Sequence, residues 1–300
     1  MSEAVSDRNE IQPSVQTPDA IRWLLCVAIF YMAIIDILLI SLETLIPSRS
    51  HHNRGVRLHA SDSFILGTHA LRETDRIVSF LTRDVGKKRG VARGARRSKS
   101  VFSGALEPMT EARVVYYEKE GRELVSINAA DPIRPSFSLS KELDRALLLS
   151  TLAESLETFV SESDPAEPFY RLARHAMDAL FAEAPASLVA AYFDVWVLKL
   201  SGLFPAPREC AGCGRPLEPD APLLYDERRP GFVGLECRHG ETLRLTPEAR
   251  ATLAAFLSGP LDPGSRPKGL PEIGLVARLA RRHFLGHELK SQRVLAEVLG

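Results

Sequence analysis

Neither sign of charge is in excess: 38 lysines and arginines stand against 38 aspartates and glutamates, so the formal net charge is +0 over 300 residues. That balance excludes a protein whose whole surface grips polyanions, but it leaves room for a local basic patch. Cysteine is sparse. The four thiols, Cys26, Cys210, Cys213 and Cys237, are too few for a small secreted scaffold held by disulfides. Three of them fall within 28 residues, which points to a reducing compartment and a metal site. Motifs of nucleotide-driven and hydrolytic chemistry are also missing. There is no G-x-x-x-x-G-K-[ST] or G-x-G-x-x-G loop to cradle phosphates, no G-x-S-x-G turn and no H-E-x-x-H helix. The chain is therefore read as a non-enzyme without an ATP-driven step. Its 45% hydrophobic and 25% charged content are those of an ordinary globular protein, and its length suits two domains.

The first patterned region is strand-like. Ser63–Ala70, Arg76–Thr82, Lys87–Ala95, Ala112–Glu118 and Glu123–Ile127 are short and rich in β-formers, with turn chemistry between them. Five strands with interior glycines predict a five-stranded OB-like barrel. Within it lies a concentration of base. Arg83, Lys87, Lys88, Arg89, Arg93, Arg96, Arg97 and Lys99 are accompanied by one acid, Asp84. Such a run is either a solvated face or a phosphate-binding ridge. The scarcity of acid and the glycines at 86, 90 and 94 favour the ridge, because backbone can approach phosphate closely there. Candidate stacking partners for bases are Phe102, Tyr116 and Tyr117, although neighbours on a strand face opposite ways and one tyrosine should belong to the core. No base-reading set is visible, so little sequence preference is expected.

From Ser138 the period becomes helical. Leu149, Leu152, Leu156 and Phe159 share a face, Ser140 is the expected N-cap, and Phe169, Leu172, Ala173, Ala176 and Leu180 form a second stripe. Leu188–Leu200 is almost continuously apolar and should be the buried central helix. Helices are also predicted over Pro247–Leu257 and Glu272–Phe284, with a proline- and glycine-rich linker between them. These stripes serve core packing in the first place, with an apolar groove for a partner peptide as the other use. Arg278, Arg281, Arg282 and Lys290 give the C-terminal region a second basic character, which either extends a DNA path or solvates a helix. Cys210-Ala-Gly-Cys213 is a chelating knuckle, and Cys237 follows 24 positions later.

Several segments together resemble the RecO family of recombination mediators. They are Ala60-Ser-Asp-Ser-Phe-Ile-Leu-Gly-Thr, Leu71-Arg-Glu-Thr-Asp-Arg-Ile-Val, Gly86-Lys-Lys-Arg-Gly-Val-Ala-Arg-Gly-Ala-Arg-Arg, Leu106-Glu-Pro-Met-Thr-Glu and the closing Leu289-Lys-Ser-Gln-Arg-Val-Leu. The resemblance implies an α+β architecture: an OB-fold DNA-binding domain over residues 59–135, then a helical domain over 136–300 containing a zinc-binding module at 208–245. It implies binding of single-stranded DNA, strand annealing and help in loading RecA, in company with RecR and the single-stranded-DNA-binding protein. It implies a cytoplasmic, nucleoid-associated protein. The alternative is a zinc-stabilised adaptor that works through protein contacts and binds DNA weakly. Many relatives carry a second C-x-x-C where this chain has Cys237-Arg-His-Gly240. His239 is the expected replacement ligand beside Cys210, Cys213 and Cys237, on the argument that residues two apart on a strand point the same way. A degenerate site whose cysteines only pack, or a different fourth ligand, are the other readings. Structural Zn²⁺ is the expected cofactor.

The resemblance leaves residues 1–58 outside. Trp23–Leu42 is a run of twenty mostly apolar residues broken by Asp36. About 20 such residues span a bilayer, but a carboxylate near the centre costs roughly 2.5–3.5 kcal/mol. The run is a membrane anchor, a buried core helix, or an extension of the reading frame upstream of a start near Val56. The last is preferred, so membrane association is not expected.

Overall fold

The computed structural model of the chain describes residues 56–299 apart from 163 and 219–221. The apolar run at 23–42 and Cys26 lie outside the described residues. Among the described residues no helix is long and apolar enough to cross a membrane.

Five strands close into a barrel. They are β1 (Val56–Ala70), β2 (Arg76–Thr82), β3 (Gly86–Ala92), β4 (Glu111–Lys119) and β5 (Val125–Arg134), and they close in the order β1-β2-β3-β5-β4. One strand serves two neighbours: β1 pairs with β4 through Val56–Phe64 and with β2 through Ser63–Ala70. The register shift between Ile65 and Gly67 lets it bend from one to the other. All pairings are antiparallel except that of β3 with β5. This is the expected α+β architecture with an OB-like barrel. Alternation sends Ile65, Val78, Phe80, Ala92, Val114, Tyr116, Val125 and Ile127 into the barrel interior. Gly90 faces the same way without a side chain. A Cβ there would lie 2.7 Å from Val125 Cγ2 and 2.8 Å from Ile127 Cγ1, so only glycine lets β3 approach β5.

Six helices follow: α1 (Leu143–Phe159), α2 (Glu167–Phe181), α3 (Ala186–Leu200), α4 (Pro247–Ser258), α5 (Leu270–Leu285) and α6 (Lys290–Leu299). As its composition predicts, α3 is central. It packs against α1, α2, α4 and α5, with Leu188, Val189, Phe193, Val195, Val197 and Leu198 wholly buried. Ser140 is not the cap of α1. It sits in a short 3-10 turn, Leu139–Lys141, its hydroxyl bonded back to the Phe137 carbonyl, and α1 starts only after Glu142. The start of α4 is capped by a side chain, with Thr246 Oγ1 accepting the Ala249 amide and Pro247 in the first turn.

A three-stranded sheet separates α3 from α4: β6 (Leu223–Asp226), β7 (Gly231–Val233) and β8 (Leu243–Leu245), in the order β7-β6-β8. Its two faces differ. Leu223, Tyr225, Phe232 and Leu245 join the helical core, whereas Leu224 and Val233 pack with Cys210. The sheet is thus anchored by burial of one face in the helical core.

The barrel and helices share a core. Phe64, Leu66, Leu81 and Met109 belong to the same buried cluster as the helix side chains. A polar seam borders it. Glu111, only 2% exposed, accepts the Tyr170 hydroxyl at 3.0 Å and lies 3.5 Å from Arg134 and 3.7 Å from Arg174. Arg134 also pairs with Asp178 and stacks over the Phe181 ring. Burial pushes the Tyr170 hydroxyl well above its usual range, and the Glu111 charge adds to that, so it remains a donor.

Candidate nucleic-acid interface and thiol cluster

The pleat of β3 decides the fate of its bases. Gly90 and Ala92 point inward, so Lys88 does too, while Lys87, Arg89 and Val91 point outward. Lys88 is 7% exposed, and its ammonium donates to Glu118 at 2.8 Å near one end of the barrel. His59 completes that group, with Nε2 at 3.3 Å from Glu118 and its ring stacked on Tyr116. The hydrogen bond from Lys88 holds the Glu118 carboxyl below the usual carboxylate range. Lys87 is equally buried and donates to the Glu157 carbonyl of α1. Arg89 is half-exposed and faces Glu162 at 3.6 Å. Three of the eight sequence-predicted bases therefore stand in internal or inter-element pairs. Arg83 is exposed but sits in the β2–β3 hairpin turn. Arg93 lies past the other end of β3, roughly 20 Å away for a strand of this length.

The remaining four come together. Strand β3 stops at Ala92, and the predicted continuation to Ala95 is a turn instead. The cause is local: Gly94 takes a φ of +70°, and its amide donates to the Asp75 carboxylate at 2.9 Å. Asp75 closes the β1–β2 turn, where its carbonyl accepts the Leu71 amide at 3.1 Å. Arg96 ties the two loops twice more, its amide to the Thr74 carbonyl at 3.0 Å and its Nη1 to the Arg72 carbonyl at 3.3 Å. Arg97 folds back over Gly94. Arg93, Arg96, Arg97 and Lys99 are all exposed, and so is Arg72 from the neighbouring turn. Arg72 was missed in the sequence because a lone arginine beside Glu73 in an Arg-Glu-Thr-Asp turn looks like any solvated turn residue. Only the cross-loop bonds reveal that it joins the basic loop.

A stacking surface adjoins this cluster. Tyr116 and Phe102 are buried in the barrel interior, which removes them as base partners. Tyr117 is 40% exposed and pairs in register with Leu58 on one side and Ser126 on the other. Ser126 in turn pairs with Val91. In-register neighbours share a face, so Tyr117, Ser126 and Val91 line the outer wall of β4, β5 and β3. Of the second basic group, Arg281 is buried against Asp194 at 2.7 Å, Arg278 faces Glu288 and Arg282 faces Glu227. Those three arginines are matched by acids and do not extend the cluster.

The thiols of Cys210, Cys213 and Cys237 lie within 4.8 Å of one another. Gly212 permits this, since a Cβ there would come 2.9 Å from Cys237 Cβ. Burial raises the Cys210 thiol, but amide hydrogen bonds from Gly234, Cys213 and Gly212 outweigh it and bring the group down to about 6. The Arg215 side chain lowers Cys213, and hydrogen bonding to the other two sulfurs pushes Cys237 up to about 11. Three donors of this kind suit a thiophilic divalent ion. His239 does not join them. Cys237 ends a 3-10 turn, Leu235–Cys237, and no strand runs through 237–240, so the argument from strand spacing fails. His239 is exposed and lines a cavity of about 220 Å³ with Asp226, Arg228, Arg229, Val233 and Cys237. A larger groove of about 1340 Å³ runs beside the small sheet. Phe204, Leu217, Leu223 and Leu257 are among its apolar lining, and Lys199, Arg208, Arg244, Arg250 and Glu218 line it as well.

Residues 56–136 match the family described as Recombination protein O N terminal, and residues 140–293 match Recombination protein O C terminal. Similar curated proteins carry the name DNA repair protein RecO. One from Koribacter versatilis is 32% identical over 208 residues, covering 68% of this chain and 83% of the relative. One from Anaeromyxobacter sp. (strain K) is 32% identical over 233 residues, covering 75% and 91%. One from Bifidobacterium adolescentis is 35% identical over 249 residues, covering 79% and 99%.

Proposed function

The chain belongs to the Recombination protein O family of DNA repair proteins, and from that premise we propose that it binds single-stranded DNA through the two tied loops and anneals complementary strands. One observation carries the reading: Arg72, Arg93, Arg96, Arg97 and Lys99 are exposed in two loops joined by three hydrogen bonds. Phosphates would sit on these bases while Tyr117 and the outer wall of the barrel stack with bases. Of the eight bases first picked out, Arg93, Arg96, Arg97 and Lys99 are retained for contact, while Arg89 faces Glu162. Lys87 and Lys88 serve the fold, and Arg83 stands apart.

Annealing needs no nucleotide on this reading. Two complementary strands repel through their phosphates, and a cationic surface that neutralises one of them lowers the barrier to pairing. Action with RecR and the single-stranded-DNA-binding protein, and indirect help to RecA, rest on the family resemblance. The groove lined by Phe204, Leu217, Leu223 and Leu257 supports a role in holding a partner's peptide. Zn²⁺ held by Cys210, Cys213 and Cys237 would pin the 210–214 turn to the 235–237 turn, a structural task. His239 would complete that set only if residues 238–240 turned toward the sulfurs.

The test is an anisotropy titration of a labelled oligonucleotide at several ionic strengths. Five phosphate contacts on a single strand predict a log–log slope near −3.5, from about 0.7 counterions released per contact. Binding that ignores salt, or no binding at low salt, would remove the assignment.

A further inference from the structure

We propose that Asp75 is a positioning residue for DNA binding: its carboxylate holds the basic loop in the shape that presents Arg93, Arg96 and Arg97 to a phosphate backbone. The inference rests on the DNA-binding reading above and deepens it. An acidic side chain beneath a cluster of arginines is at first sight counterproductive, because it subtracts a charge where charge does the binding. Its geometry says what it gives in return. Asp75 Oδ1 accepts the Gly94 amide at 2.9 Å and the Thr74 hydroxyl at 3.1 Å. Gly94 stands at a φ of +70°, a conformation the loop needs in order to reverse direction after β3. The Asp75 carbonyl meanwhile closes its own turn onto Leu71.

One residue thus fastens the β1–β2 turn and the loop after β3 at the same point. The two Arg96 contacts, to the Thr74 and Arg72 carbonyls, tie the same two loops again beside that fastening. The Asp75 carboxyl is held below the usual aspartate range, first by the Gly94 amide and further by Thr74, Arg72 and Arg93. The charge of Arg72 and Arg93 therefore reaches the carboxylate. A loop of small and basic residues with no fastening would sample many conformations, and ordering it would oppose binding.

Two substitutions separate the hydrogen bond from the charge. Asp75→Ala removes both. Asp75→Asn keeps a carbonyl oxygen for the Gly94 amide and removes the charge. The expected outcome is that Asp75→Ala binds a labelled single strand about three- to tenfold more weakly, the fold-change that matches loss of one hydrogen bond ordering the loop. Asp75→Asn should bind at least as tightly as the parent. Limited trypsin digestion gives a second readout: cleavage at Arg93–Lys99 should quicken in Asp75→Ala and stay at the parent rate in Asp75→Asn. Thermal melts by circular dichroism check that both variants are folded. Parent-like affinity of Asp75→Ala, with Arg93→Ala/Arg97→Ala still weakening binding, overturns the positioning role and leaves the DNA site standing. Equal weakening of both Asp75 variants together with a lower Tm also overturns it, as a merely structural role. No effect of Arg93→Ala/Arg97→Ala defeats the DNA site itself.

Discussion

Replacing Arg93 and Arg97 together by alanine should flatten the salt dependence of single-strand binding by an amount the structure specifies. Five exposed bases share the tied loops: Arg72, Arg93, Arg96, Arg97 and Lys99. At about 0.7 counterions per phosphate contact the parent slope is near −3.5, and the double variant, with three bases left, should show about −2.1. A fourfold rise in salt, from about 50 to about 200 mM, then weakens the parent about 130-fold and the variant only about 20-fold. Anisotropy of a labelled oligonucleotide over that range measures both slopes. Arg83→Ala is the matched control, because it removes an exposed arginine at the opposite end of the β2–β3 hairpin. Its slope should equal the parent's. If the double variant keeps the parent slope, or if Arg83→Ala flattens it equally, the tied loops are not where phosphate binds.

Lys88→Ala should leave the slope alone and lower stability by about 1–2 kcal/mol in urea melts, since it breaks a pair buried on one side and half-exposed on the other. A changed slope with unchanged stability would return Lys88 to the DNA surface. Glu118 gives a pH signature: its folded pKa is depressed, so the stabilisation is present above the ordinary value of 4.5 and is lost as pH falls through the folded pKa. Thermal melts between about pH 6 and pH 3 should show that loss, and Glu118→Gln should reduce it; identical pH profiles would rule out the pair as its source. Cobalt(II) added to the reduced chain should give thiolate charge-transfer absorption that Cys213→Ser diminishes. If His239→Ala leaves the spectrum and affinity unchanged, His239 is not a ligand; a blue-shifted or weakened spectrum would make it one.

The barrel was legible because its strands alternate. The pattern that predicts Phe80 and Val78 as inward also explains why Tyr116 is core and Tyr117 is outside. The same alternation, applied to Lys87, Lys88 and Arg89, would have warned that these neighbours cannot share one surface. What a sequence does not carry is the partner across the gap. Glu118 is 30 positions from Lys88, and the Glu157 carbonyl is 70 from Lys87. Helix positions followed from composition where apolar residues were dense, as at α3, and failed at Ser140, where a 3-10 turn used the hydroxyl internally. The three cysteines were legible from spacing because a C-x-x-C turn has its geometry built in. The strand argument for His239 failed because the chain turns at Cys237 instead.

The buried cluster that runs from Phe64, Leu66, Leu81 and Met109 into the helices has a practical corollary. Cutting the chain after the fifth strand would turn four large apolar side chains outward and strip Glu111 of its tyrosine donor. The barrel is consequently not a detachable cassette. Transplanted alone it should clump, because the interior it would expose is the one that seats α1 and α2.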